Sequence, residues 1–298
     1  MRGAVLGRLS GVILILACAC GLIPADAVSQ EGKNPLWVVE KGEAKVYLLG
    51  SIHLMKASSY PLSDAVEEAY RNAGEIVFEA DMRAMNRADT QVRLSQMGAF
   101  PAGQTLKTSV SAATYDRLME RFTKAGVPAG KMERYRPWFC GITLTMLEIR
   151  RLGYDLRHGA AQHFFARAVA DGKRIGSLES LDEQFAMFSG LSPAEDEELL
   201  LQTLDDLDMA ARHAESLKNA WKGGDMATMT KLLHASLNKH PMILERMISA
   251  RNRAWMPGLE GRLQGKGSTL FVVGTAHLLG GQGLLKLLEN KGFSIRQL

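Results

Sequence analysis

Two histidines near opposite ends of the chain stand in the same eight-residue pattern. Tyr47-Leu48-Leu49-Gly50-Ser51-Ile52-His53-Leu54 is matched by Phe271-Val272-Val273-Gly274-Thr275-Ala276-His277-Leu278. Neutral imidazole is the commonest nitrogen ligand for a divalent metal and the usual acid–base group near neutral pH. A lone histidine would read as a core-edge residue bonded to backbone. The repetition favours one shared site instead. Two imidazoles do not close such a site, because catalytic metal centres commonly use three protein ligands plus water. Glu79, which ends Glu75-Ile76-Val77-Phe78-Glu79, is the best third group, as ligand or as general base; the plain alternative is a solvated carboxylate. Glu179 ends a similar run from Arg174. A shell of nitrogen and oxygen suits Zn, Mn or Co better than Ca or Cu(I). Arg251, Asn252 and Arg253 lie late in an expected helix, just before the second histidine run. There an arginine either compensates the helix dipole or reaches a substrate carboxylate or developing oxyanion.

The surrounding text says how these groups are carried. Each histidine run is a short apolar stretch stopped by Gly, which reads as a buried strand with the histidine in the turn at its carboxyl end. Ligands of open α/β sheets collect at that edge. Trp37–Glu40 and Lys45–Leu49 flank Lys41-Gly42-Glu43-Ala44 and predict a hairpin whose second strand delivers His53. A helix from Pro61 to Ala73 and a strand over Glu75–Asp81 complete a βαβ unit, with Asp81 placed to cap a helix starting at Met82. Residues 82–172 predict a large helical insertion. Its helices are Met82–Met97, Ser111–Ala125, Trp138–Arg151 and Ala160–Ala170, punctuated by Pro and Gly. After the Glu179 strand, Leu181–Phe188 is helical, and Ser192-Pro193-Ala194-Glu195 starts a long helix to about Trp221. Asp225 caps another, and Pro241 opens one reaching about Leu263. Thr269–Val273 is the second histidine strand, Leu284–Asn290 a helix and Phe293–Arg296 a last strand. The expected fold class is α/β, a central mixed sheet with flanking helices and that insertion.

Composition narrows the setting. Arg2 and Arg8, the apolar stretch Leu9–Ile23 and Ala25-Asp26-Ala27 form an export signal with its cleavage site, so residues 1–27 are expected to be removed and 28–298 to be exported to the periplasm. A lipid anchor at Cys18 ranks lower, because Ile15-Leu16-Ala17-Cys18 matches a lipobox poorly. Past residue 30 charge breaks every apolar run, so no stable membrane span is expected after cleavage. Cys18 and Cys20 fall in the leader. Cys140 is left without a partner for an internal disulfide, in apolar text that makes it buried filler. The net charge of +4 is too mild to imply nucleic acid. His158 and His163 are five apart, wrong for one helical face, and His213, His234 and His240 stand in charged helical text expected at the surface. Gly280-Gly281-Gln282-Gly283 lacks the Lys-Ser/Thr of a phosphate loop, and no Gly-x-Ser-x-Gly, His-Glu-x-x-His or Gly-x-Gly-x-x-Gly occurs.

Taken in order, Gly50-Ser51-Ile52-His53, Phe78-Glu79, Leu178-Glu179-Ser180 with Gln184, Arg251-Asn252 and Gly274-Thr275-Ala276-His277-Leu278 with Gly280 resemble the TraB/GumN family of bacterial exported proteins. That family is similar to the Tiki metalloproteases and, more remotely, to the erythromycin esterase and ChaN-like group. The resemblance implies an α/β fold with helical elaborations. Through the Tiki-like members it implies metal-dependent peptide hydrolysis, with the site falling on His53, His277 and Glu79. The expectation is therefore an exported metal-dependent hydrolase acting on a peptide or small molecule, in which Glu79 or Glu179 takes a proton from bound water and Arg251 or Arg253 stabilises the oxyanion. ChaN-like relatives bind haem, which keeps a non-enzymatic alternative on the same scaffold, with Tyr135 or Tyr154 as candidate ligands. Metal, substrate and oligomeric state stay open.

Overall fold

The computed structural model describes residues 34–52, 55, 59–151 and 156–298. The expected leader, Cys18, His53 and Tyr154 lie outside the described residues. Six strands form one mixed sheet: β1 Leu36–Lys41, β2 Ala44–Ser51, β3 Glu75–Ala80, β4 Arg174–Glu179, β5 Gly267–Gly274 and β6 Ile295–Gln297, in the order β4-β3-β5-β2-β1-β6. β1 and β2 make the expected antiparallel hairpin, with Gly42 at φ 57° in its turn. From β4 across β3 and β5 to β2 all neighbours are parallel, so four carboxyl ends share one edge. Ser51 lies opposite Gly274 there, and Ala80 opposite Glu179. The two histidine strands are thus direct neighbours. β2, β3 and β5 are buried along nearly their whole length, which is why they read as continuous apolar runs rather than alternating ones.

The helices are α1 Asp64–Asn72, α2 Met82–Met85, α3 Ala88–Met97, α4 Leu106–Ser109, α5 Ala112–Lys124, α6 Pro137–Arg151, α7 Ala160–Ala170, α8 Leu181–Ser189, α9 Pro193–Lys222, α10 Met226–Leu237, α11 Pro241–Leu244, α12 Ala250–Leu263, α13 Thr275–Leu278 and α14 Leu284–Asn290. The chain moves one way across the sheet from β2 to β4 and back between β4 and β5. Right-handed crossovers therefore put α1 and α7 on one face and α12 on the other. α7 packs on β3, β4 and β5, whereas α5 and α6 pack on α9 from the second half of the chain. The helical layer is so built from both halves. Asp196 on α9 accepts the Trp138 N–H at 2.7 Å, capping α6, and Gly141 lets the two helices meet at Thr203, where a Cβ would stand 3.2 Å from the hydroxyl.

Three local expectations are corrected. Met82–Met97 is two helices, broken at Asn86 and Arg87. The second histidine stands in the short helix α13 rather than in an open turn. The stretch from Pro241 to Leu263 is helical throughout but contains a π-helical segment, Glu245–Ser249, joining α11 to α12. Ser192 and Glu195 form the expected reciprocal cap of α9, at 2.8 and 3.3 Å.

Candidate active site at the carboxyl edge of the sheet

The two histidine motifs interlock through their small residues. A Cβ on Gly50 would stand 3.0 Å from Thr275 Oγ1 and 3.3 Å from the Leu278 side chain, so glycine at the end of β2 lets the second motif pack closely and a larger residue would crowd it. Thr275 Oγ1 donates to the Ser51 carbonyl at 3.0 Å. His53 follows two residues later, outside the described residues. α7 begins against the same exit, with the Ala160 N–H donating to the Ile52 carbonyl at 3.3 Å.

Glu79, Glu179, Arg251 and His277 meet at this edge, each buried. β3 delivers Glu79 and β4 delivers Glu179; β5 leads into α13 with His277, and α12 supplies Arg251. Arg251 Nε and Nη2 grip Glu179 at 3.1 and 2.8 Å, and Nη2 also donates to Glu79 at 3.0 Å. Nη1 donates to the Met247 carbonyl and to His277 Nε2, both at 3.0 Å. A guanidinium has five N–H donors, and all five are engaged. None is left for a substrate oxyanion, which corrects the expectation for Arg251. It is a positioning residue that holds three site groups together. Arg253 is exposed and paired with Glu245, so it does not serve as an oxyanion donor either. Both lie early in α12, not in a last turn, which removes the dipole-compensation reading as well.

The bonds around His277 fix its tautomer. Arg251 can only donate, so Nε2 must be the acceptor and Nδ1 carries the proton. Asn252 agrees: its Nδ2 donates to the carbonyls of His277 and Gln282, at 3.0 and 2.8 Å, leaving Oδ1 to accept Nδ1–H at 2.7 Å. Trp255 covers the group, its ring 4.4 Å from the imidazole and 4.6 Å from the Arg251 guanidinium, and its indole N–H donates to Glu179 at 3.1 Å. The Gly274 N–H donates to Glu79 Oε1 at 2.6 Å. Neither Asn252 nor Trp255 was assigned a role from sequence. Their spacing held a signal, since Trp255 is four residues from Arg251 and three from Asn252 and so shares their side of a helix.

The electrostatics follow from burial. Desolvation raises the Glu179 carboxyl above its ordinary value; Arg251 pulls it down, and Glu79 adds to the rise. Burial alone would lower the Arg251 pKa, but attraction to Glu79 and Glu179 outweighs it and the net shift is upward. With both carboxylates ionised and His277 neutral, these residues carry one net negative charge. His277 Nε2 and Glu79 Oε2 are 3.9 Å apart and both are acceptors, so a donor or a cation is needed to hold them together. In this structure the Arg251 guanidinium does so. Among the described residues no three His, Cys, Asp or Glu side chains group as a metal shell. The Nδ1–H tautomer leaves the ring's one lone pair on Nε2, the nitrogen a metal would use, but Arg251 Nη1–H occupies it here, so a metal would have to displace the guanidinium from His277.

The other singled-out residues fall elsewhere. Asp81 Oδ1 caps α2, accepting from the Arg83 and Ala84 N–H groups at 2.9 and 3.1 Å. His240, expected at the surface, is buried 3.6 Å from Asp205 and 3.9 Å from Glu198. The side chains of His213 and His234 lie outside the description. His163 stacks on Tyr60 with ring centroids 3.7 Å apart, and burial, then Arg167, lowers its pKa to about 4. Tyr135, the candidate haem ligand, is stacked on Phe139 at 4.6 Å inside the helical layer. Cys140 is fully buried, as expected.

Comparison with known proteins gives two kinds of relative. The uncharacterized protein YbaP of Escherichia coli is 23% identical over 248 residues, covering 83% of this chain and 89% of its own. The metalloprotease TIKI2 of Danio rerio is 23% identical over 327 aligned positions, covering 90% of this chain and 62% of its own. No solved structure gives a significant match. The family model for TraB/PrgY/gumN matches residues 35–297, from just before β1 to the end of β6, and the chain belongs to that family.

Proposed function

We propose that the protein is a metal-dependent hydrolase of the exported compartment, working on peptide bonds at the carboxyl edge of its sheet. The observation that carries this reading is the buried group of Glu79, Glu179, Arg251 and His277 at the carboxyl edge, in which two carboxyl groups share one guanidinium and the imidazole is held in its Nδ1–H tautomer. The similarity to a protein named a metalloprotease supports the same reading. A divalent ion, Zn, Mn or Co, would be held by His277, once Arg251 Nη1 releases Nε2, and by His53, with Glu79 beside it. Adjacency of β2 and β5, with Ser51 opposite Gly274, supports pairing the two motifs. A bound ion of this kind polarises a carbonyl and makes its water more acidic.

The chain's own residues do the remaining work. Asn252 keeps the His277 ring in one orientation. Arg251 fixes Glu79 and Glu179, and Trp255 excludes water from that side. Glu79 is the group that takes a proton, since its Oε2 faces His277 Nε2. The experiment is direct: metal content and hydrolysis of a peptide pool by purified protein, with and without chelator, for wild type, His277→Ala and Glu79→Gln. Bound metal lost in His277→Ala, and chelator-sensitive cleavage lost in Glu79→Gln, are expected. Protein that folds, binds no divalent metal and cleaves nothing would refute the proposal.

A further inference from the structure

β4 is the last strand on its side of the sheet. It pairs with β3 alone, so alternate residues turn their N–H and C=O away from the sheet, and among the described residues no other backbone meets them. Such an edge is usually guarded by Pro, Lys, a bulge or brevity. The opposite edge strand, β6, is only three residues long. β4 has six residues, keeps one register with β3 throughout, and contains neither Pro nor Lys. Arg174 and Ser177 are exposed and Ile175, Gly176 and Leu178 half-buried, whereas β3 beside it is buried from Ile76 onward. β4 leads into an open groove of about 660 Å³. Ser180, Leu181 and Asp182 at the start of α8 line it, together with Ala84, Val92 and Arg93 from α2 and α3. Ser180 directly follows Glu179, which lies opposite Ala80 at the end of β3, so the groove opens where the two carboxylate-bearing strands leave the sheet. Val92 is 58% exposed there, unusual for so large an apolar side chain in this protein. Arg93 and Asp182 join α3 to α8 at 2.6 Å; both are exposed, so the pair is weak and can yield to a ligand.

We infer that β4 and this groove receive the substrate as an extended peptide, which adds to the sheet as a further strand beside β4 and sets an apolar side chain in the groove. The inference rests on reading the carboxyl edge as the catalytic site, and it names the form of the substrate: an unfolded segment rather than a folded surface. Backbone pairing supplies affinity that is indifferent to sequence, and the groove supplies the choice of side chain. Continuity from the free edge through the groove to Glu179 favours substrate over a second copy of the chain, because an edge kept for self-association has no need to end on a carboxylate of the site. In such a pairing only every second N–H of the peptide faces β4.

The test measures binding apart from turnover. A pool of capped decapeptides is screened against wild-type protein in chelator, and the best binder is remade with one backbone N–H at a time methylated. Affinity is expected to fall about tenfold at alternate positions of the paired stretch and to change little between them. Val92→Lys, at an exposed position, is expected to melt with wild type and to bind the parent peptide about tenfold less tightly. Methylation that weakens consecutive positions alike, or none, would overturn the inference. So would Val92→Lys binding as wild type does, or a wild type that sediments as a dimer and binds no peptide, which would give the edge to a second copy. Peptide that binds with the alternating pattern but is never cleaved with metal restored would leave the inference standing and remove the hydrolase. Chelator-sensitive cleavage of peptides that show no alternating pattern would do the reverse.

Discussion

Replacing Arg251 by Met tests whether one guanidinium holds the site together. The side chain is buried and engages both Glu79 and Glu179. Met keeps the bulk and removes the charge, leaving two buried carboxylates and the His277 lone pair without their common donor. Breaking a buried pair by deleting one partner costs about 3–5 kcal/mol, far more than the net worth of the pair. In a chain of this size each kcal/mol lowers Tm by about 2–4 °C, so a fall of roughly 6–20 °C is expected at pH 8. The deficit should shrink toward pH 5. Without Arg251 only the Trp255 N–H opposes the desolvation that already raises Glu179, so the variant binds protons as the pH falls and sheds its uncompensated charge. Adding Glu179→Gln to Arg251→Met should recover part of the loss at pH 8, since it removes one of the two stranded charges. The assay is urea and thermal unfolding of wild type, single and double variants at both pH values. A deficit below about 1 kcal/mol, equal at pH 5 and pH 8, would be the size of a surface pair and would refute the account of Arg251.

Burial pushes Asp196 up to about 6, above its unfolded value of 3.8, against the pull of the Trp138 N–H and Arg136. The folded state therefore holds the proton more tightly, and stability should fall as pH rises from about 4 to about 6, by up to about 3 kcal/mol. Asp196→Asn, which still caps α6, should flatten that part of the urea-midpoint profile. The Cys140 thiol is buried and raised well above its ordinary value by desolvation, so in protein starting at Val28 it should resist alkylation until the chain is unfolded. Mass spectrometry after iodoacetamide reads the outcome. A Cβ on Gly283 would fall inside the carbonyl oxygens of Leu278 and Leu279, while Asn252 holds the neighbouring Gln282 carbonyl at 2.8 Å. Gly283→Ala should therefore lower Tm and weaken divalent-metal retention together. Gly281→Ala, where a Cβ meets open space, should change neither.

What could be read from the sequence was whatever is encoded locally. β4 falls at Arg174–Glu179 and α7 at Ala160–Ala170, as expected, because short apolar runs and Gly or Pro stops are written within a few residues. Glu79 and Glu179 could be placed at strand ends for the same reason. The adjacency of β2 and β5 was a conditional reading of the repeated motif, and the register of Ser51 with Gly274 supplies the condition. The role of Arg251 was not legible. An arginine near a site is as able to meet substrate as to hold its neighbours, and the count of its partners decides which. Those partners come from β3, β4, α13 and the π-helical segment, so no window of text contains them. His240 misled through its charged surroundings: Asp205 and Glu198, which look like solvent-facing text, are the groups it packs against.

The π-helical stretch Glu245–Ser249 acts as a phase shifter. The Ala250 N–H reaches back five residues to the Glu245 carbonyl, so every residue beyond it is turned relative to an uninterrupted α-helix. Arg251 and Asn252 are the first side chains to inherit that offset, and they are the two that grip the imidazole. Removing one residue from the stretch would restore the regular spiral and swing both away by about 100°. The grip on the imidazole therefore depends on the length of one helix, and a single-residue insertion or deletion there would undo it with every site residue still in the sequence.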